Sequence, residues 1–136
     1  MSLPDYKIIN LPKILDERGN LSFCESENQI PFDIKRIYYL YDVPNGITRG
    51  GHGHKELEQL IIAASGSFDV VLDDAKVKRI VTLNRPMFGL YIKPGIWRDL
   101  VNFSSGSVLL VLASIKYSEN DYIRDYNDFL NMKKWK

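Results

Sequence analysis

Short hydrophobic runs, several of them alternating with polar positions, recur along most of the chain and are separated by turn residues. Seven runs are rich in β-branched and aromatic residues, which is typical of strands. The predicted strands are Leu21–Glu25, Ile34–Tyr41, Leu57–Ala64, Ser67–Leu72, Lys78–Leu83, Phe88–Ile92 and Val108–Ile115. Turn signals between them are Asn45-Gly46, Ser65-Gly66 and Pro94-Gly95. Short strands at this spacing predict an all-β protein, an antiparallel sandwich or barrel.

Only the C-terminal tail has a helical pattern. Ser118 is a candidate cap, and Asp121 falls in the first turn that would follow it. Aromatic and apolar side chains then recur at helical spacing: Tyr122, Tyr126, Phe129 and Leu130. We therefore expect a short helix over about 119–133, packed against one end of the barrel.

Composition fits a single domain over residues 1–136 and excludes several function classes. The 18 Lys and Arg residues nearly balance the 17 Asp and Glu residues, which gives no electrostatic case for nucleic acid or an anionic membrane. No apolar run approaches the ~20 residues of a membrane span, and the N-terminus lacks the profile of a secretion signal. Cys24 is the only cysteine, so no internal disulfide is possible. We expect a cytoplasmic protein.

The two histidines of the chain, His52 and His54, lie in the segment RGGHGHKELEQ. In an extended segment, residues two apart point to the same face, so both imidazoles are expected to share one space. Imidazole is the side chain whose ordinary pKa lies nearest neutral pH, so it can both take and return a proton. One isolated histidine is usually structural, but this pair among glycines predicts acid–base chemistry.

The spacing around these histidines resembles the two motifs of the cupin superfamily. The first motif is matched by Gly46, His52, His54, Gln59 and Gly66, and the second by Gly95, Arg98 and Asn102. Gln59 stands where a metal-binding glutamate is usual, and Arg98 stands where the third metal histidine is usual. A permanent guanidinium charge repels a dication. We therefore expect a cupin (jelly-roll) barrel that binds no metal and no other cofactor.

Several further residues are candidates for substrate binding. Arg49 and Arg98 have motif positions that suit an anionic group, and Arg18 is a weaker candidate. Trp97 could pack in the core or flank a ligand. In the run KRIYYLYD, Tyr39 and Tyr41 share a face opposite to that of Tyr38.

Four longer segments extend the resemblance to one enzyme family. They are RIYYLYDVPNGITRGGHGHKELEQ, GSFDVVLDD, LNRPMFGLYIKPGIWRDLVNFSSGSVLLVLAS and DYIRDYNDFL. Together they closely resemble the WxcM-like sugar 3,4-ketoisomerases, which act on dTDP-4-keto-6-deoxyglucose. The resemblance implies a metal-free cupin whose product supplies 3-amino-3,6-dideoxyhexoses for surface glycans such as O-antigen, or for antibiotics. Two departures from the family pattern are Gly53, usually alanine, and Ala75, usually glycine.

The resemblance also implies roles for particular residues. It places the catalytic pair on His52 and His54, the barrel tyrosine on Tyr39, and the arginine that precedes the histidines on Arg49. We expect His52 to remove the proton from carbon 3 and His54 to donate or relay a proton to carbon 4, through an enediol, and the reverse assignment of the two histidines stays open. Gln59, Arg98, Trp97, Arg18 and Tyr41 complete the expected substrate-binding set.

The resemblance further implies a homodimer in which Tyr6–Leu11 is exchanged between subunits, since exchange removes an exposed edge strand. Three other functions stay open at this point. They are a dTDP-keto-sugar epimerase, a non-catalytic cupin that binds sugar nucleotides, and a metal-dependent cupin oxygenase.

Overall fold

A computed structural model describes residues 5–134 of the chain, which fold into two five-stranded antiparallel sheets and a small hairpin. The elements are β1 (Tyr6–Asn10), β2 (Lys13–Ile14), β3 (Leu21–Ser22), β4 (Arg36–Leu40), β5 (Arg49–His54), β6 (Gln59–Ser65), β7 (Phe68–Asp73), β8 (Lys78–Leu83), β9 (Phe88–Ile92), β10 (Trp97–Val101), β11 (Val108–Ala113), β12 (Tyr122–Ile123) and α1 (Tyr126–Lys134). One sheet has the order β1-β9-β6-β11-β4, and the other has the order β12-β5-β10-β7-β8. The predicted all-β barrel with a short C-terminal helix is confirmed.

The core lies between the two sheets because each strand turns alternate side chains inward. Ile61 and Val111 of the first sheet meet Val70 and Leu100 of the second in one fully buried cluster. Their buried apolar surface supplies most of the stabilisation of the sandwich. At one end of this interior, polar side chains replace apolar ones, and the candidate site lies there.

Most predicted strands are confirmed, with small differences at their ends. The first predicted strand is shorter than expected and consists of Leu21–Ser22. Five strands were not among the seven predicted runs: β1, expected only as an exchanged segment, β5, expected only to be extended, and β2, β10 and β12. The sequence did not predict β10 because Arg98 and Asp99 interrupt its apolar pattern. Arg98 nevertheless points into the interior, where it is a buried charge.

The predicted helix start is wrong. Glu119–Asp121 forms a single 3₁₀ turn, and Tyr122–Ile123 is a strand paired with β5. The helix begins at Tyr126, and its Phe129 packs against Trp97 on the outer face of the second sheet. Contacts of Asp121 and Tyr122 with β5 override the helical spacing in the sequence. No helix among residues 5–134 is long and apolar enough to cross a membrane.

The N-terminal strand β1 pairs with β9 of the same chain, in the register Tyr6↔Ile92 to Asn10↔Phe88. This pairing places β1 at one edge of the first sheet. The exchange of this segment with a second subunit stays a prediction.

Candidate active site

Strand β5 presents both histidines to the interior of the barrel. It lies between β12 and β10, with His54 opposite Tyr122 and His52 opposite Arg98. The two imidazole centroids are 4.9 Å apart. His54 is buried, and His52 is partly buried. The prediction that the two histidines share one face of the strand is confirmed.

Arg98 is the buried charge of the site, with 1% of its surface exposed. Its Nη2 donates to the Tyr38 hydroxyl over 2.9 Å. Gly50 makes room for this side chain, because a Cβ at that position would lie 2.8 Å from Arg98 Nη1. The strand therefore needs glycine there for the guanidinium to reach the histidines.

A carboxylate holds one of the two histidines. Asp121 Oδ2 lies 2.8 Å from His54 Nδ1, and both side chains are buried. Asp121 Oδ1 accepts the backbone N–H of Glu56 over 2.6 Å. The 3₁₀ turn that carries Asp121 is thereby fixed against the end of β5.

An aromatic ring covers the histidine pair. The Tyr122 ring lies 4.9 Å from the centroid of His52 and 4.5 Å from that of His54. Arg36 Nη2 donates to the Tyr122 hydroxyl over 3.3 Å, and its guanidinium lies 4.7 Å from the Tyr38 ring. Tyr122 thus connects the histidines to a second arginine.

The electrostatic environment keeps both histidines neutral at pH 7. Burial, the Arg98 charge and the neighbouring His54 lower the pKa of His52 from 6.5 to about 3. Burial and the Arg98 charge also lower the pKa of His54, while the hydrogen bond to the Asp121 carboxylate opposes that change. A neutral imidazole can accept a proton, so the resting site is set for base chemistry.

Buried polar atoms without a partner inside the described chain converge at this end of the barrel. They are Arg36 Nε, His52 Nε2, His54 Nε2, Gln59 Oε1, and Arg98 Nε and Nη1. Buried polar atoms are nearly always hydrogen-bonded, so such a cluster indicates a site for a polar ligand. Donors and acceptors are both present, as recognition of hydroxyl and carbonyl oxygens requires.

Arg98 is thus brought to the histidines, and Gln59 lies buried in register with Ala113 and Arg36 on the inward face of the first sheet, whereas three other predicted residues are not at the site. Tyr39 and Tyr41 are exposed on the outer face of the first sheet, where their rings lie 6.0 Å apart. Trp97 points away from Arg98 and packs against α1. The structure does not bring Tyr39, Tyr41 or Trp97 to the histidines, because neighbouring residues of a strand face opposite sides of the sheet.

Two predicted arginines also lie elsewhere. Arg18 is exposed in the turn between β2 and β3, where it is paired with Asp16. Arg49 is exposed at the start of β5, beside a register shift opposite Leu100. Neither guanidinium has a hydrogen bond to the histidines in the described structure.

Four residues of the site were missed by the sequence analysis: Arg36, Tyr38, Asp121 and Tyr122. Arg36 and Tyr38 share the inward face of β4, and the alternation of the strand shows that they share a face but not that this face is inside. Asp121 and Tyr122 were assigned to a helix, so their contact with β5 had no signal in the local pattern.

The donor set at the site does not resemble a metal centre. A guanidinium lies beside the histidines, and residues 5–134 contain no cluster of three or more His, Cys, Asp or Glu side chains able to hold a metal ion. A fixed positive charge at this place disfavours a divalent cation. The absence of a resident metal stays a prediction.

Comparison with known proteins gives one consistent family. Residues 4–134 match the family model described as FdtA: WxcM-like, C-terminal. A TDP-4-oxo-6-deoxy-alpha-D-glucose-3,4-oxoisomerase from Aneurinibacillus thermoaerophilus is 46% identical over 123 residues, which cover 90% of this chain and 88% of that protein.

Two of the solved structures that match this chain illustrate a similarity over nearly the whole length of both proteins. A 3,4-ketoisomerase from Helicobacter canadensis has 51% identity and a TM-score of 0.93, with 96% of this chain and 98% of that chain covered. A histidine-to-asparagine mutant of the 3,4-ketoisomerase QdtA from Thermoanaerobacterium thermosaccharolyticum, in complex with TDP-4-keto-6-deoxyglucose, has 42% identity and a TM-score of 0.96. That match covers 99% of this chain and 98% of that chain.

Proposed function

The chain belongs to the FdtA, WxcM-like family of nucleotide-sugar 3,4-ketoisomerases, and from this premise we propose how its own residues carry out the isomerisation. The substrate is dTDP-4-keto-6-deoxy-D-glucose, and the product is a dTDP-3-keto-6-deoxyhexose. The reaction moves a hydrogen from carbon 3 to carbon 4 and exchanges the ketone and hydroxyl between them. It needs bases, acids and a group that stabilises negative oxygen, but no change in overall redox state.

His52 starts the reaction as a neutral base. Its Nε2 takes the proton of carbon 3, the electron pair forms the double bond between carbons 3 and 4, and the carbon 4 carbonyl becomes an oxyanion. The protonated His52 then gives this proton to the oxygen on carbon 4, which leaves a neutral enediol. The lowered pKa of His52 favours this prompt return of the proton.

His54 completes the conversion. Its Nε2 takes the hydroxyl proton from the oxygen on carbon 3, the carbonyl forms at carbon 3, and carbon 4 receives the proton from His54. Both histidines are neutral before and after turnover, so the cycle needs no external acid.

Arg98 stabilises the oxyanion in this proposal. Its Nε and Nη1 are buried donors with no partner in the described chain, and Tyr38 fixes its other terminal nitrogen. Preorganised donors of this kind usually make the largest contribution to catalysis. An oxyanion beside Arg98 also offsets the charge that lowers the pKa of both histidines. Gln59 is assigned to a sugar hydroxyl.

The single observation that carries the proposal is a pair of neighbouring imidazoles whose buried Nε2 atoms, like Nε and Nη1 of the adjacent Arg98, have no hydrogen-bond partner among residues 5–134. The experiment is incubation of the purified protein with dTDP-4-keto-6-deoxyglucose and identification of the product by NMR. A 3-keto sugar is expected. A 4-keto epimer would instead support an epimerase. An unchanged sugar with no exchange of carbon-bound protons would support a binding protein.

We further propose that the enzyme works in the cytoplasm as a homodimer. The product is then the substrate of an aminotransferase that makes 3-amino-3,6-dideoxyhexoses for surface glycans such as O-antigen. The nucleotide-activated substrate supports the location, and the exposed apolar side chains of Ile37, Tyr39 and Tyr41 on the outer face of β4 support the dimer.

A further inference from the structure

We propose that Asp121 is a positioning residue for this reaction, because it holds His54 as the tautomer with its proton on Nδ1. Nε2 then faces the substrate without a proton and can accept one. The inference deepens the proposed function and rests on the role given there to His54.

The hydrogen bonds of Asp121 determine the direction of its contact with His54. Its Oδ1 accepts the backbone N–H of Glu56 over 2.6 Å, and its Oδ2 lies 2.8 Å from His54 Nδ1. A buried carboxylate with a backbone donor on one oxygen is an acceptor on the other, so Nδ1 is the donor. In neutral imidazole the second ring nitrogen is then unprotonated.

The carboxylate has little freedom to turn away. The backbone N–H of Asp121 donates to Ser118 over 3.1 Å, and its carbonyl accepts from Lys55 over 3.0 Å. The side chains of Asp121 and His54 are 6% and 2% exposed. Main-chain and side-chain bonds therefore fix both partners of the contact.

The two histidines differ in this respect. His52 has no hydrogen-bonded carboxylate among residues 5–134: Arg98 and Arg124 oppose a positive charge on it, and Glu119, which favours one, is bonded to Tyr117 and Arg124 instead. His54 faces Arg98 and Arg36, which oppose a positive charge on it, and Asp121 alone favours one. Only His54 is thus equipped to hold a proton for the time between leaving oxygen 3 and reaching carbon 4.

Replacement of Asp121 by asparagine tests the inference because the amide has only one acceptor oxygen. The N–H of Glu56 requires that oxygen, so the amide nitrogen faces His54 Nδ1 and donates to it. The variant is therefore expected to move the His54 proton to Nε2 and to block its use as a base.

Asp73→Asn is the matched control. Asp73 is also buried, and it also accepts one backbone N–H, from Ala75 over 2.8 Å, and one side-chain donor, from Tyr126 over 2.6 Å. It lies on the side of the second sheet that packs against α1, so the same chemical change there leaves the histidines untouched.

The first measurement is the tautomer of His54 by nitrogen-15 NMR of the free protein. Wild type and Asp73→Asn are expected to carry the proton on Nδ1, and Asp121→Asn on Nε2. A wild-type His54 with its proton on Nε2 overturns the inference, and this measurement needs neither a variant nor an active enzyme. It therefore remains decisive if Asp121→Asn does not fold or if the proposed function fails the product assay.

The second measurement compares net conversion with exchange of the carbon 3 proton in deuterated water. Asp121→Asn is expected to lose ~10²–10⁴ in conversion, as loss of an acid–base group does, while exchange stays within a few-fold of wild type. Asp73→Asn is expected to retain both. Equal loss of exchange and conversion, or no loss of either, would overturn the positioning role.

Discussion

At the scale of single residues, the site gives different hydrogen-bond partners to two imidazoles that lie two positions apart on one strand face. His54 is tied to a carboxylate, and His52 faces Tyr122 and Arg98. The two imidazoles lie at similar distances from the Tyr122 ring, so their chemical difference comes from hydrogen bonding and charge.

Replacement of each histidine by asparagine should therefore give a different failure. His52→Asn is expected to stop both isomerisation and exchange of the carbon 3 proton. His54→Asn is expected to keep the exchange and to lose ~10²–10⁴ in conversion. Mass spectrometry of deuterium incorporation measures both quantities. Reversed patterns would exchange the two roles, and near-normal turnover in both variants would show that the pair is structural.

The sequence was sufficient to find His52, His54, Gln59 and Arg98, because motif spacing reports on all four positions and the two-residue spacing of the histidines places both on one face. It was insufficient for Tyr38, since periodicity shows which tyrosines of β4 share a face but not which face is inside. Only packing against the second sheet decides that question.

Tyr38 and Tyr39 offer a direct test of this correction. Tyr38→Phe removes the hydroxyl that accepts from Arg98, and hydrogen bonds to charged groups contribute ~1.5–3 kcal/mol. We expect kcat/KM to fall roughly tenfold or more. Tyr39→Phe changes an exposed ring on the outer face and is expected to leave kcat/KM unchanged. A larger loss from Tyr39→Phe than from Tyr38→Phe would contradict the assignment.

At the scale of elements, the pairing of β5 with β10 makes the site possible. The register between them shifts between Arg98 and Leu100, and Gly50 takes a φ of +74° at this irregularity. The spacing of the two histidines indicated that β5 is extended, but nothing in the sequence indicated the register shift between β5 and β10. It also misplaced the start of α1, because a pattern of aromatic residues does not show that two of them pair with a distant strand.

Gly50→Ala and Gly46→Ala separate backbone strain from contact with Arg98. Both glycines have positive φ, which costs alanine ~1–2 kcal/mol, but a Cβ at Gly46 meets no atom within 4 Å. A Cβ at Gly50 would lie 2.8 Å from Arg98 Nη1 and 3.0 Å from Leu100 Cδ1. Chemical denaturation should show a larger loss for Gly50→Ala, by about 1 kcal/mol or more. Only Gly50→Ala should lose activity. Equal losses of stability and activity in both variants would contradict the close approach of residue 50 to Arg98.

At the scale of the whole molecule, the buried histidines make stability depend on pH. The unfolded chain protonates both imidazoles near pH 6.5, whereas the folded protein resists protonation of His52 until about pH 3. Between these values the unfolded chain binds more protons, so the free energy of unfolding falls as pH decreases.

The loss is expected to begin near pH 6.5, with a limiting slope of ~1.4 kcal/mol per pH unit for each histidine. Carboxylates with lowered pKa, such as Asp33, contribute only at more acidic pH. Urea denaturation between pH 7 and pH 5 measures the slope, and His52→Asn should reduce it. A free energy of unfolding that is constant over this range would contradict the burial of neutral imidazoles.

The outer face of β4 bears on assembly. Ile37, Tyr39 and Tyr41 form an apolar strip there, with exposures of 56%, 58% and 61%, on an edge strand of the first sheet. Sedimentation equilibrium at micromolar concentration is expected to give a dimer, and Ile37→Glu is expected to shift it toward monomer. Ile80→Glu is the control, since Ile80 is also exposed on an edge strand, that of the other sheet. A wild-type monomer would refute the proposed assembly.

The contact between His54 and Asp121 joins positions 67 residues apart in the chain. A ribosome that has completed both sheets up to β11 has still to add the segment that carries Asp121 and Tyr122. The nascent protein can therefore begin to fold from its N-terminal side while its acid–base pair is incomplete. A chain released before that segment is added would lack both the carboxylate that holds His54 and the strand β12 that pairs with β5, so turnover would report only on chains that carry the segment.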